Sequence, residues 1–127
     1  MVNRARDWFS DAEFDLGHAE RSQQSGDHSW ACFAAQQAAE KAVKALHHHL
    51  GQEAFGHRIV RLLEDLPAHV PDGIVEQARS LDTFYIPTRY PNTHDEGPAH
   101  EQYGPLQSEE AIEHARAVVA FVRSQMA

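Results

Sequence analysis

The amino-acid sequence predicts an all-α fold, an antiparallel up-and-down bundle of four long helices with one additional short helix. Apolar residues recur at spacings of three and four in five separate segments, which is the period of an amphipathic helix. No segment shows the alternation of a half-buried strand. The chain has 127 residues, of which 42% are hydrophobic and 24% are charged, so we expect one globular domain that covers residues 1–127.

The first two predicted helices are long. One runs from about Asp7 to Ser25, where Gly26 is a natural stop. The other covers Ser29–Leu50 and carries two apolar lines, one of them built of alanines. Two apolar lines on one helix indicate a central helix, and alanines let its neighbours approach closely. We expect the two tryptophans, Trp8 and Trp30, to be core anchors.

Three further helices complete the predicted bundle. The short one covers roughly His57–Leu66 and is closed by Pro67, because proline cannot continue a helix. The next runs from about Asp72 to Tyr85, and the last begins after Ser108. Each of them carries apolar residues at helical spacing, which predicts an inward face.

The segment between the last two helices, Ile86–Gln107, has no helical period. It contains four of the six prolines and two of the seven glycines. Long connections without secondary structure are uncommon inside compact domains and are often functional. Pro91-Asn92 favours a turn, which is expected to bring His94 back toward Arg89.

Arg89 and His94 are the candidate catalytic residues of this segment. A guanidinium group is always charged and its planar fork suits phosphate oxygens. An imidazole with an ordinary pKa of about 6.5 can move a proton near neutrality. Together these groups offer metal-independent RNA cleavage, in which the 2′-OH of the RNA is the nucleophile. An arginine that simply binds a helix C-terminus explains the same pattern without function.

Net charge and cysteine content restrict the class of protein. The formal net charge of −8 argues against a broad basic face that coats nucleic acid, but it leaves room for a short basic pocket. A single cysteine, Cys32, excludes an internal disulfide and suits a reducing compartment. No apolar run is long enough to cross a membrane and no secretory leader is visible. We therefore expect a cytoplasmic protein that does not bind membranes.

Two clusters on the second predicted helix have competing interpretations. Lys41 and Lys44 lie one turn apart and either meet a phosphate near Arg89 or form a snorkelling lysine pair that is balanced by Glu40. The three consecutive histidines, His47–His49, point about 100° apart on a helix and cannot all bind one metal ion. We expect them at a solvated helix end, and we expect neither a metal site nor a cofactor.

Three sequence stretches resemble the HEPN domain family. They are "AAQQAAEKAVKAL", then "IVRLLEDL" after His57, and "LDTFYIPTRYPN" ahead of a closing amphipathic helix. The similarity extends over essentially the whole chain in the same order. It implies a HEPN-like bundle of four long helices with a short one, which is usually a homodimer or a higher homo-oligomer.

The resemblance also implies two alternative functions. Many members carry an Arg-x4–6-His motif and act as metal-independent RNases, some as toxins encoded beside a minimal nucleotidyltransferase. On this interpretation Arg89 and His94 are catalytic. The alternative is a non-catalytic module that binds a nucleotide or a partner, such as a minimal nucleotidyltransferase. Its nucleotide-binding residues would be Lys41, Lys44, Tyr90 and Asn92. RNA or a nucleotide is the ligand expected in both cases.

The sequence departs from the toxin subgroup directly after the motif. In that subgroup the histidine is followed by x-Tyr, whereas Asp95 and Glu96 follow His94 here. These carboxylates repel a polyanion, although they also favour the protonated form of a nearby histidine. Both functions therefore stay open at the level of sequence.

Overall fold

The computed structural model describes residues 3–127, and Met1 and Val2 lie outside the described residues. The helices in this range are α1 (Ala5–Gln24), α2 (His28–His49), α3 (Ile59–Glu64), α4 (Asp72–Asp82) and α5 (Pro105–Met126). Residues 3–127 contain no strand, and the bundle of four longer helices with one short helix confirms the predicted fold class. None of the helices in this range is long and apolar enough to cross a membrane.

The second helix, α2, is the centre of the bundle. It packs against α1, α3, α4 and α5. Its alanines are buried almost without exception, and Val43 and Leu46 are buried between them. Small side chains on several faces allow neighbouring helices to come close, which confirms the predicted central position.

Several helix boundaries differ from the prediction. α1 begins at Ala5 rather than near Asp7, and α3 covers Ile59–Glu64 rather than His57–Leu66. α4 ends at Asp82 rather than at Tyr85, and α5 begins at Pro105 rather than after Ser108. Proline is well tolerated in the first turn of a helix because its missing N–H would have no partner there. The backbone N–H of Gly104 donates to Oε1 of Gln107 at 2.7 Å, which closes the start of α5. The connection between α4 and α5 therefore lies at residues 83–104, which is the same length as the predicted segment Ile86–Gln107 but begins three residues earlier.

The prediction that Trp30 anchors the core is wrong, because 53% of this residue is exposed. Its neighbours Ser29 and Ala31 are buried, so Trp30 points to solvent from between two buried positions of α2. Trp30 shares its face with Phe33, which is only half-buried. Trp8 is half-buried and stacks on His48, with 6.0 Å between ring centroids.

The start of α3 is held by a carboxylate from α4. Oδ1 of Asp82 accepts the backbone N–H of Ile59 at 2.7 Å, and Oδ2 accepts that of Val60 at 3.1 Å. The first N–H groups of a helix have no partner within the helix, so this side chain replaces a local cap. Asp82 thereby joins the end of α4 to the beginning of α3.

We expect Asp82→Ala to lower the free energy of unfolding by about 1–2 kcal/mol, because the two N–H groups lose their acceptor. Urea denaturation monitored by circular dichroism measures this change. The matched control is Asp11→Ala, which removes an exposed aspartate of α1. Equal losses in the two variants would contradict the capping role.

The same carboxylate gives a pH dependence. Burial raises the pKa of Asp82 above its ordinary value of 3.8, against the opposing effect of its two backbone hydrogen bonds and of Arg58. Because the folded protein then holds the proton more tightly than the unfolded chain, stability falls as the pH rises through this window. As the pH rises from below the ordinary pKa of 3.8 through the raised pKa of the folded state, wild type should lose stability relative to Asp82→Asn, which does not titrate. Parallel pH profiles would contradict this assignment.

Candidate functional site

The segment between α4 and α5 is ordered by contacts of its own backbone. Thr88 is buried, and its hydroxyl donates to the carbonyl of Phe84 at 2.7 Å. The N–H of Arg89 donates to the carbonyl of Ile86 at 3.1 Å. The turn expected at Pro91-Asn92 is present as a short 3-10 helix, Pro91–Thr93. Hydrogen bonds within the segment therefore fix the backbone of the candidate site.

Arg89 lies on a surface of aromatic rings. Its Cζ atom is 4.3 Å from the ring centroid of Phe33, 4.8 Å from that of Tyr85 and 5.3 Å from that of Tyr90. Its Nε donates to the carbonyl of Tyr85 at 2.9 Å. Cation–π contacts and one hydrogen bond thus fix the orientation of the guanidinium group. The Nε atom of Arg89 already donates this hydrogen bond. The two terminal nitrogens belong to a planar fork that matches phosphate oxygens.

The ring of Tyr85 is supported in turn by His57. The two rings stack with 4.6 Å between centroids and an angle of 16° between planes. Nδ1 of His57 lies 3.2 Å from Oε2 of Glu40. A line of contacts therefore runs from a buried carboxylate of α2 through His57 and Tyr85 to Arg89.

Glu40 is the centre of a buried polar network. It is only 3% exposed, and Oε2 accepts a hydrogen bond from Nζ of Lys44 at 3.2 Å. Oε1 accepts one from Nε2 of Gln36, also at 3.2 Å. The same Gln36 amide donates to the carbonyl of His57 at 3.1 Å. The network holds the residues that precede α3 against α2.

His94 has a separate environment. Its Nε2 lies 2.7 Å from the carbonyl of Pro87, and since a carbonyl only accepts, Nε2 carries a proton. In the neutral ring, Nδ1 is then the nitrogen that can accept a hydrogen bond. The ring meets Tyr103 edge-on at 5.9 Å. It borders an open cavity of about 650 Å³ that is also lined by Asp95 and Glu96.

Arg89 and His94 do not share a contact in this chain. Arg89 is held by Tyr85 and the rings around it, whereas His94 is held by Pro87 and Tyr103. Arg89 faces aromatic rings, whereas His94 borders a cavity that is lined by carboxylates. The structure therefore places the two candidate catalytic residues on one segment, with different partners.

The predicted nucleotide-binding lysines both have carboxylate partners. Nζ of Lys41 lies 2.7 Å from Oδ2 of Asp15 on α1. Lys44 pairs with Glu40 and also lies 5.5 Å above the ring of Trp8. Lys44 thus pairs with Glu40 as the second interpretation predicted, although it is buried rather than snorkelling, whereas the partner of Lys41 is Asp15.

The other two predicted binding residues are accessible. Tyr90 is 47% exposed beside the Arg89 guanidinium group, and Asn92 is exposed in the 3-10 turn. Sequence reasoning did not find Phe33, Tyr85 or His57 as parts of the site. For Tyr85 a signal exists, because it precedes Arg89 by four residues in the sequence.

His47 and Cys32 are buried and have structural environments. His47 was expected at a solvated helix end, but it is buried, and its Nε2 lies 2.8 Å from the carbonyl of Leu62. Burial raises the pKa of the Cys32 thiol to about 12, so it stays protonated and is not a nucleophile. Within residues 3–127 no group of three or more histidines, cysteines and carboxylates could hold a metal ion.

The sequence model of the HEPN domain matches residues 5–125. The chain belongs to the HEPN domain family. No curated protein matches it. Among solved structures, it is 52% identical to TT1696 from Thermus thermophilus, with a TM-score of 0.96, covering 98% of this chain and 99% of that chain.

Two further HEPN structures resemble this domain. ST0689, an archaeal HEPN homologue, is 37% identical with a TM-score of 0.86, and the match covers 99% of this chain and 100% of that chain. The HEPN domain protein tm0613 from Thermotoga maritima is 27% identical with a TM-score of 0.76, covering 93% and 95% of the respective chains. The fold of this HEPN domain therefore extends over the full length of its relatives.

We expect Glu40→Gln to destabilise this HEPN domain by about 3 kcal/mol, because Lys44 then keeps a charge in a buried position without a counter-charge. Chemical denaturation measures the loss. The double variant Glu40→Gln/Lys44→Met removes both charges and should recover most of it. If the single variant were as stable as wild type, the network would not carry the role assigned to it.

Proposed function

We propose that this HEPN domain is a binding module for a nucleotide or a short single-stranded RNA, whose phosphate is held by Arg89. The observation that carries the proposal is the guanidinium group seated against the rings of Phe33, Tyr85 and Tyr90. A cation that is oriented before the ligand arrives loses less conformational freedom on binding. Tyr90 is exposed beside the guanidinium group, and Asn92 is exposed two residues further along the chain.

The charge distribution supports a short ligand. The net charge is −8, so a long polyanion would meet repulsion over most of the surface. Lys41 and Lys44 already pair with Asp15 and Glu40. Arg89 has no carboxylate within ion-pair distance among residues 3–127, which favours it as the residue that receives a phosphate.

Metal-independent RNA cleavage is the second candidate function. Its support is the Arg-x4-His spacing of Arg89 and His94, together with an imidazole whose Nε2 is anchored on Pro87. Cleavage needs a general base and a general acid, and one chain offers one histidine here. A two-fold homodimer would supply two. An RNase of this kind would suit a toxin paired with a minimal nucleotidyltransferase.

Arg89→Ala should weaken binding of a five-nucleotide adenosine RNA by roughly 10-fold or more, because a hydrogen-bonded charge contributes about 1.5–3 kcal/mol. His94→Ala should bind it as wild type does. Isothermal titration calorimetry compares the variants. Arg79→Ala is the matched control, since Arg79 is an exposed arginine of α4 that lies 3.5 Å from Glu76. Unchanged affinity in Arg89→Ala would remove the arginine from the proposed function.

The second candidate makes a different prediction. If His94 transfers protons, RNA incubated with the wild-type protein in EDTA should yield fragments that end in a 2′,3′-cyclic phosphate. RNA with 2′-deoxyribose at the cut site should remain intact, and His94→Ala should be roughly 10²-fold slower. Electrophoresis with end-group analysis measures this, and light scattering should give twice the 14.3 kDa mass of one chain. Equal inertness of wild type and His94→Ala would leave only the binding function.

A further inference from the structure

A groove between α1 and α2 lies beside the proposed phosphate site. It encloses about 230 Å³ and includes Asp15, His18, Trp30, Phe33, Gln37 and Lys41 in its lining. Its volume is below the roughly 300–1,000 Å³ of sites that enclose a whole drug-sized ligand, so it suits one flat ring. Trp30, at 53% exposed, is the large aromatic surface in it.

Phe33 belongs to both the groove and the phosphate site. On one side it meets Trp30 edge-on, with 6.1 Å between centroids and 79° between planes. It also lies 4.3 Å from the guanidinium carbon of Arg89. A single ring therefore separates the groove from the cation that is proposed to hold a phosphate.

The charges of the groove differ from those around Arg89. Within the groove, Lys41 and Asp15 form an ion pair at 2.7 Å, which compensates both charges. Arg89 has aromatic partners instead of a carboxylate. An uncharged ring is thus suited to the groove and an anion to the arginine. A nucleotide carries these two groups on one sugar.

We propose that the groove is a nucleobase site, in which a base stacks on the indole ring of Trp30 while Arg89 holds a phosphate of the same nucleotide or of its neighbour. The nucleobase site rests on the proposed nucleotide-binding function, and it adds which part of the nucleotide the groove recognises. Stacking of a base on an aromatic side chain contributes about 1–3 kcal/mol and tolerates different bases. The ligand is therefore a nucleotide or a short single-stranded RNA. It is recognised by stacking on an aromatic ring more than by contacts that distinguish one base from another.

The first test separates the base from the phosphate. Trp30→Ala should weaken binding of the five-nucleotide adenosine RNA by roughly 5- to 100-fold, the loss of one stacked base. It should leave binding of tripolyphosphate, which has no base, unchanged. Phe55→Ala is the matched control, because Phe55 is an aromatic residue that is 81% exposed on the connection between α2 and α3. Circular dichroism checks that the variants fold.

Each outcome has one meaning. If Arg89→Ala weakens both ligands and Trp30→Ala weakens neither, the nucleobase site is wrong while the proposed function stands. If wild type binds neither ligand, the proposed function itself is wrong. If Trp30→Ala and Phe55→Ala weaken RNA binding equally, the effect is not specific to the groove and the proposal is overturned.

The second test reports on the indole directly. The chain contains two tryptophans, so the Trp8→Phe variant leaves Trp30 as the sole tryptophan. We expect the adenosine RNA to quench its fluorescence, because a stacked base contacts the ring. The reciprocal Trp30→Phe variant retains Trp8, which stacks on His48 near the opposite end of α2 and should show no change. Quenching only in the reciprocal variant would overturn the proposal.

A protein contact is the competing use of an exposed tryptophan. If the groove received a second copy of this chain, Trp30→Ala would lower the mass measured by light scattering and leave the RNA titration unchanged. That combination would exclude the nucleobase site.

Discussion

The buried carboxylate of Glu40 is the interaction on which the candidate site depends. It lies on the central helix α2 and binds Lys44 within that helix and His57 ahead of α3. His57 stacks on Tyr85, whose ring and carbonyl orient Arg89. A charge in the interior is stable only when it is paired and hydrogen-bonded. The conformation of the half-buried Arg89 is thus tied to the satisfaction of one buried acid.

Helical period was sufficient to predict the bundle, because burial of an apolar face dominates the stability of each helix. The alanine lines of α2 predicted its central position correctly. The period did not reveal that α5 begins at Pro105, since the first turn of that helix precedes its apolar stripe. Nor did residue type place Trp30, because whether a tryptophan is covered depends on the packing of neighbouring helices rather than on hydrophobicity alone.

The site was predictable only where its residues adjoin in the sequence. Arg89 could be selected because it stands in a proline-rich segment with His94. Of its aromatic partners, Tyr85 and Tyr90 are near it in the sequence, whereas Phe33 comes from α2 and reaches Arg89 only through the tertiary fold. Likewise, the ion pair between Lys41 and Asp15 joins two helices and has no local signature. Spacing along the chain therefore selected the candidate residue Arg89 but did not reveal all of its surroundings.

The separate environments of Arg89 and His94 have a consequence for the two candidate functions. Binding at Arg89 uses rings of the same chain and needs no second copy. Cleavage needs two proton-transferring groups, and the partner chain of a two-fold dimer is the source of the second. Dilution below the dissociation constant of a dimer should therefore abolish cleavage per chain while leaving nucleotide affinity per chain unchanged. The geometry of one chain accordingly supports the proposed binding, whereas the proposed cleavage would require assembly of two chains.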